Sequence, residues 1–177
     1  MKKTIYAVVF MALLLSSCAN EFNKVYKSTD NNFKYEYAKE SFVKGKYVRA
    51  SSLLQGLVTM QKGSENAQES LYMLGLSEFN SRDYEGAAAT FKKYCQSYPK
   101  GYYTQEARFL IGMSLYNCTP EPRLDQSQTV NAIAAFQEYI DLYPDGNQKK
   151  DAQQRLFELQ DKLVQKELYS AQLYYDL

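Results

Sequence analysis

The 177-residue chain carries 21 basic and 20 acidic side chains, no histidine, no tryptophan and 17 tyrosines. Lack of histidine removes the commonest general base and the commonest metal ligand, and the balanced charge leaves no basic stripe for nucleic acid. Hydrophobic residues make up 45%, enough for a core, and the four prolines all stand beyond residue 98, so the chain before Pro99 is free to form long helices.

The chain opens on Lys2 and Lys3, followed by eleven mostly apolar residues from Ile5 to Leu15. At 1.5 Å per residue this run is roughly 16 Å, about half the ~30 Å hydrocarbon core, which fits a signal-peptide segment better than a membrane span. Leu15-Ser16-Ser17-Cys18 comes next and resembles the bacterial lipobox. The resemblance implies a signal peptide over 1–17 and lipidation of Cys18; two or more acyl chains hold a protein stably on a bilayer. An ordinary signal peptide with an incidental cysteine is the competing reading. Ala19, which is not aspartate, points by resemblance to enteric lipoproteins to the outer membrane. Loss of Lys2 and Lys3 leaves 19 basic against 20 acidic side chains. Residues 18–32, polar and asparagine-rich, read as a lipidated tether.

The rest of the chain repeats itself. Ala87, Ala89, Phe91, Tyr94, Tyr98, Pro99 and Gly101 return 45 residues later as Ala132, Ala134, Phe136, Tyr139, Tyr143, Pro144 and Gly146. Ala87, Phe91 and Tyr94 share one face at 3.6 residues per turn; proline then stops the helix and glycine lets the chain reverse. A first helix precedes each block. Leu71, Leu74, Gly75 and Phe79 stand before the first, and Phe109, Gly112 and Tyr116 before the second. Upstream, Tyr35, Ala38, Phe42, Gly45, Tyr47, Ala50, Leu54 and Leu57 take the same places 37 residues earlier. Each unit resembles the tetratricopeptide pattern. The fold expected is therefore all-α, a solenoid of about three and a half helical hairpins over 33–177. Its repeats fall near 33–64, 68–101 and 105–146, with a partial fourth within 148–177. Between Asn117 and Thr129 the intra-repeat turn is longer by eight residues and carries Pro120 and Pro122, so it reads as a loop. An unbroken helical pattern follows from about Gln148 to Asp176, with Ala171, Tyr174 and Tyr175 as the candidate start of the fourth unit. Cys95 and Cys118 fall at places roughly 18 Å apart along neighbouring helices, too far to pair, and are expected as free thiols.

The lipobox, the repeats and Leu124-Asp125-Gln126 leading into Ala132 and Phe136 together resemble the BamD/ComL family. Arg155-Leu156, Asp161-Lys162-Leu163, Tyr169-Ser170 and Tyr174-Tyr175 on the long helix resemble it too, in a tyrosine-rich form similar to members from Bacteroidetes. The family consists of outer-membrane lipoproteins of the β-barrel assembly machinery. The resemblance implies a non-catalytic scaffold facing the periplasm, without cofactor or metal, which contacts the β-barrel insertase and other subunits and receives unfolded outer-membrane proteins. Family members continue through the fourth repeat, whereas this chain reads as ending within it, as a truncated frame or a short variant. Another cell-envelope adaptor of the same architecture, a pilotin or a coordinator of wall synthesis, is the alternative. An enzyme is disfavoured: no serine or cysteine has a histidine to activate it, and no glycine loop precedes a helix for phosphate.

The first helices of such arrays line a concave face. Their fifth places here are Tyr35, Tyr72 and Phe109; their twelfth are Phe42, Phe79 and Tyr116; their ninth are Lys39, Leu76 and Met113. Six aromatics in register predict a groove for an extended or aromatic-ended peptide, while the competing reading packs each ring between helices. The loop also has two readings. Arg123, Asp125 and Gln126 form a partner contact, or Asp125 simply caps the next helix while Arg123 is solvated.

Overall fold

The computed structural model describes residues 21–60, 63, 64 and 66–176; Cys18 and the expected signal peptide lie outside them. The described residues form seven long helices: α1 (Asn31–Val43), α2 (Tyr47–Met60), α3 (Ala67–Asn80), α4 (Tyr84–Ser97), α5 (Thr104–Asn117), α6 (Ser127–Leu142) and α7 (Lys149–Tyr175). Each packs on the next in sequence, and α7 also touches α5. This is the expected solenoid of about three and a half helical hairpins, with the long α7 as its half unit.

Local chemistry sets the helix ends. Asp30 caps α1 by accepting from the Asn32 and Phe33 amides, and Asp83 caps α4 through Gly86 N–H. The α1–α2 and α3–α4 turns are built alike. Lys46 N–H donates to Ser41 C=O and Asp83 N–H to Glu78 C=O, five residues back in each case. The turn needs one left-handed residue. The first hairpin supplies Gly45 at φ 70°, the second Arg82 at φ 67°, a position that costs a non-glycine residue some backbone strain.

The repeated block builds the core. Ala87, Phe91, Tyr94, Ala132, Phe136 and Tyr139 are all fully buried. The rings pass the first helix of their own hairpin at the eighth place, where a Cβ on Gly75 would lie 2.6 Å from Phe91 and one on Gly112 would lie 2.7 Å from Phe136. Glycine there is the condition for close helix approach. The Tyr94 hydroxyl accepts from the Gln68 amide and the Tyr103 backbone N–H (3.2 Å), and the Tyr139 hydroxyl donates to Gln148 (2.9 Å). Each repeated tyrosine thus fastens its helix to the neighbouring elements.

Two boundaries differ from expectation. Residues 21–26, expected within the tether, are helical, and Val25 is buried in the core while Phe22 lies 5.5 Å from the Arg49 guanidinium. Phe22 and Val25, three places apart, give this turn a face to bury despite its polar surroundings, while Tyr26 stays exposed. The start of the fourth unit also shifts. Ala152 occupies the place of Ala107, 45 residues on, and both are fully buried. The docked first half of α7 is therefore the first-helix counterpart, while Ala171, Tyr174 and Tyr175 are exposed. Cys95 and Cys118 are both free thiols, and burial pushes each thiol's pKa up. No helix of the described residues is long and apolar enough to cross a membrane.

Candidate functional site

The eight predicted groove residues all lie on α1, α3 and α5 and split into two sets. Tyr35 and Tyr72 are buried, at 3% and 6% exposure, and offer a ligand almost no ring surface. Phe42, Leu76, Phe79, Phe109, Met113 and Tyr116 are half-buried and stay in contact with solvent. The fifth-place rings pack inward. Tyr72 meets Phe91 and Tyr94 at 5.9 and 5.7 Å between centroids, and Phe109 meets Phe136 and Tyr139 at 6.0 and 5.6 Å. The twelfth-place rings cover the hairpin turns edge-on, Phe42 against Tyr47 and Phe79 against Tyr84. Any ligand surface on this face thus falls to the ninth and twelfth places together with Phe109.

A polar cluster at the N-terminal ends of α3 and α5 was not visible as a pattern of aromatics. Tyr103 stacks flat on Tyr72, with centroids 4.2 Å apart, and Tyr102 stands edge-on to Tyr103 at 89% exposure. The hydroxyls of Tyr35 and Tyr72 are buried with no partner at hydrogen-bonding geometry. Each faces a carboxylate, Glu69 for Tyr35 and Glu106 for Tyr72. Burial first, and those carboxylates second, push both phenol pKa values well up. In the first hairpin Lys39 Nζ lies 5.1 Å from the Tyr35 ring centroid and 3.6 Å from Glu69. A further buried carboxylate, Glu78 at 5% exposure, leaves Oε2 unpartnered, and burial raises its pKa.

At the other end of the face, Tyr116 is held by α7. Its hydroxyl donates to Glu158 Oε2 (2.7 Å), Arg155 Nη1 donates to the same oxygen (2.8 Å), and the guanidinium lies 5.1 Å from the Tyr116 ring centroid. The Tyr116 hydrogen bond, with help from Gln154 and Arg155, lowers the Glu158 pKa from an ordinary 4.5 to about 2. The sign follows: Glu158 contributes stability that is complete above about pH 4.5 and is lost as the pH falls toward 2. Tyr116→Phe is expected to cost about 1 kcal/mol at neutral pH and to flatten the acid limb of a stability–pH curve between those values.

The long turn, residues 118–126, lies against α7. Lys162 Nζ donates to Thr119 Oγ1 and Lys166 Nζ to Arg123 C=O (2.9 Å), and the Arg123 guanidinium sits 4.7 Å from the Tyr169 ring centroid. Arg123 and Asp125 are exposed, but Gln126 is buried. Its amide donates to Glu121 C=O and Leu124 C=O, and its Oε1 accepts from Thr129. The Asp125 carboxylate accepts from the Ser127 backbone N–H, and Ser127 holds its pKa below the usual range. Asp125 thus holds the first amide of α6 from one place before the N-cap residue Gln126, Gln126 knits the loop, and Arg123 lies on the Tyr169 ring.

Sequence reasoning missed one concavity. Between α4, α5 and α6 a groove of about 520 Å³ has Cys95, Ile111 and Leu115 on its walls, with an Arg108–Glu138 ion pair across its rim. Arg108, Ile111 and Leu115 form an i, i+3, i+7 stripe on α5, a signal the repeat pattern obscures. Among the described residues no cluster of three or more His, Cys, Asp or Glu side chains could hold a metal ion.

Stacked antiparallel hairpins with alanine or glycine at each close approach (Ala38, Gly75 and Gly112) and rings in register define a tetratricopeptide-type helical-repeat protein. The sequence pattern of the family YfiO, described as an outer membrane lipoprotein, matches residues 27–176. The chain belongs to that family. It is also similar to the outer membrane protein assembly factor BamD of Caulobacter vibrioides, 22% identical over 165 residues that make up 92% of this chain and 54% of the relative. The chain thus spans about half the length of that curated relative.

Proposed function

We propose that the chain is a lipid-anchored, non-catalytic subunit of the outer-membrane β-barrel assembly complex, held through Cys18 and facing the periplasm. In this reading the α1, α3 and α5 face receives unfolded outer-membrane protein segments. The exposed part of the 118–126 loop, with Arg123 foremost, meets the insertase or another subunit. The observation that carries the reading is the family match over 27–176; the half-buried rings at matched places in successive hairpins support it. Extended chains bind such faces by apolar burial with polar groups setting the register.

The test uses Phe79→Ala with Met113→Ala, both half-buried, so that the core stays intact. Affinity for a fluorescent peptide ending in an aromatic β-strand motif is expected to fall tenfold or more, about 1.4 kcal/mol, with the helical circular dichroism unchanged. Unaltered affinity would sink the groove. Cys18→Ser, in parallel, is expected to release the protein from the membrane fraction and to stop its co-purification with the insertase. Co-purification with pilus or wall-synthesis proteins instead would favour another envelope adaptor.

A further inference from the structure

Successive first helices carry the same three-residue relation with one change, a ring and its i+4 neighbour on one helix and a carboxylate on the first helix of the next hairpin. In the first, Tyr35, Lys39 and Glu69 stand at i, i+4 and i+34; in the second, Tyr72, Leu76 and Glu106 stand at those same offsets. The first set is complete, with Tyr35 and Lys39 on α1 and Glu69 on α3. The Lys39 ammonium lies 5.1 Å from the Tyr35 ring centroid and 3.6 Å from Glu69, within cation–π and ion-pair range. The second set has the Tyr72 ring on α3 and the Glu106 carboxylate on α5 but a leucine in place of the lysine. Among the described residues Glu106 has no ion pair. The Tyr72 hydroxyl, in a residue only 6% exposed, faces that carboxylate as the Tyr35 hydroxyl faces Glu69.

The surroundings fit a cation. Tyr103 stacks on Tyr72, and Tyr102 stands edge-on to Tyr103 at 89% exposure, so π surface continues outward beside Glu106. In the third set Phe109 and Met113 take the first two places and Asp151, 45 residues after Glu106, takes the carboxylate's, so the acid recurs without a lysine but beside a phenylalanine that has no hydroxyl. Only the middle set therefore combines a tyrosine and a carboxylate with no lysine of its own.

We propose that Glu106, with the Tyr103 and Tyr102 rings that stack outward from Tyr72, seats the arginine or lysine side chain of a polypeptide lying along the α1, α3 and α5 face. This rests on the reading of that face as a polypeptide receiver and adds a selection rule to it: a basic residue beside the apolar ones. The Lys39 ammonium is the intramolecular precedent, held by the same pair of groups one repeat earlier.

The experiment compares two fluorescent peptides on the full chain purified in detergent. They share one alternating aromatic–polar sequence, with a central arginine in one and citrulline, of the same shape without the charge, in the other. The arginine peptide is expected to bind at least about fivefold tighter, with the gap narrowing as salt rises. Glu106→Gln, at an exposed position, is expected to bring the two peptides to parity without loss of helicity. Leu76→Lys is expected to do the same by installing the lysine of the first hairpin. Equal binding of both peptides by the unaltered chain overturns the cation seat and leaves the groove standing. A preference that persists in Glu106→Gln likewise places the cation elsewhere. Failure of both peptides to bind overturns the groove and this proposal with it.

Discussion

Phe136→Ala is expected to destabilise the chain by about 3–5 kcal/mol, the usual result of deleting a buried ring. Phe136 is fully buried, lies 6.0 Å from Phe109 between centroids, and fills the space that Gly112 leaves on α5. The mutant should show a lower urea midpoint with little change in m-value. The informative experiment is the cycle with Gly112. A Cβ there would lie 2.7 Å from the Phe136 ring, so Gly112→Ala alone should cost about 1–3 kcal/mol by overpacking. Gly112→Ala combined with Phe136→Leu should cost less than the two single changes together, because the smaller side chain makes room for the methyl group. Simple additivity would show that the ring and the glycine are not in steric contact. The same cycle at Gly75 and Phe91, where the corresponding distance is 2.6 Å, should behave alike, since the two hairpins share one packing rule.

Leu159→Ala is expected to act on α7 before the rest of the solenoid. Although α7 runs for 27 residues, Ala152 and Leu159 are the only side chains it buries among the described residues. Leu156 and Leu163 are half-buried, while Phe157, Val164 and Leu168 are exposed on the outer side. Removal of a buried leucine costs about 2–5 kcal/mol, a large share of what so narrow a seam supplies. The polar braces from Tyr116, Thr119 and the Arg123 carbonyl gain their geometry from the docked helix and cannot replace it. Hydrogen exchange should therefore speed up over residues 149–170 while α1 to α6 keep most of their protection. Trypsin should cut first at Arg155 and Lys162. Equal loss of protection in every helix would mean that α7 belongs to the same cooperative unit as the hairpins.

Much of the fold was legible because its determinants lie a turn or two apart in sequence. The places of Ala87, Phe91 and Tyr94 fix one helical face whatever surrounds them, Pro99 and Pro144 limit each helix, and Gly75 and Gly112 announce a close approach. The candidate face was legible in outline but not in detail. Periodicity put Tyr35 and Phe42 on one side of α1, yet it could not say that the first would be buried and the second half-buried. That depends on how near the neighbouring helix comes, a distance set by side chains from other repeats. The 118–126 loop shows the same limit. Two prolines marked it as irregular, but only the docking of α7 revealed that Gln126 turns inward while Arg123 reaches Tyr169.

The sequence by itself determined the all-helical character, the hairpin count, the position of the core rings and the recurring tyrosine–carboxylate spacing, because each follows from covalent connectivity and the 3.6-residue turn. Tertiary structure alone decided which hydroxyls are left without partners, that Glu158 is shared by Tyr116 and Arg155, and that α7 is fastened by a narrow seam. These arise between residues about 34 to 43 positions apart, where the approach of whole helices, and not the chain's own spacing, sets the distance between atoms.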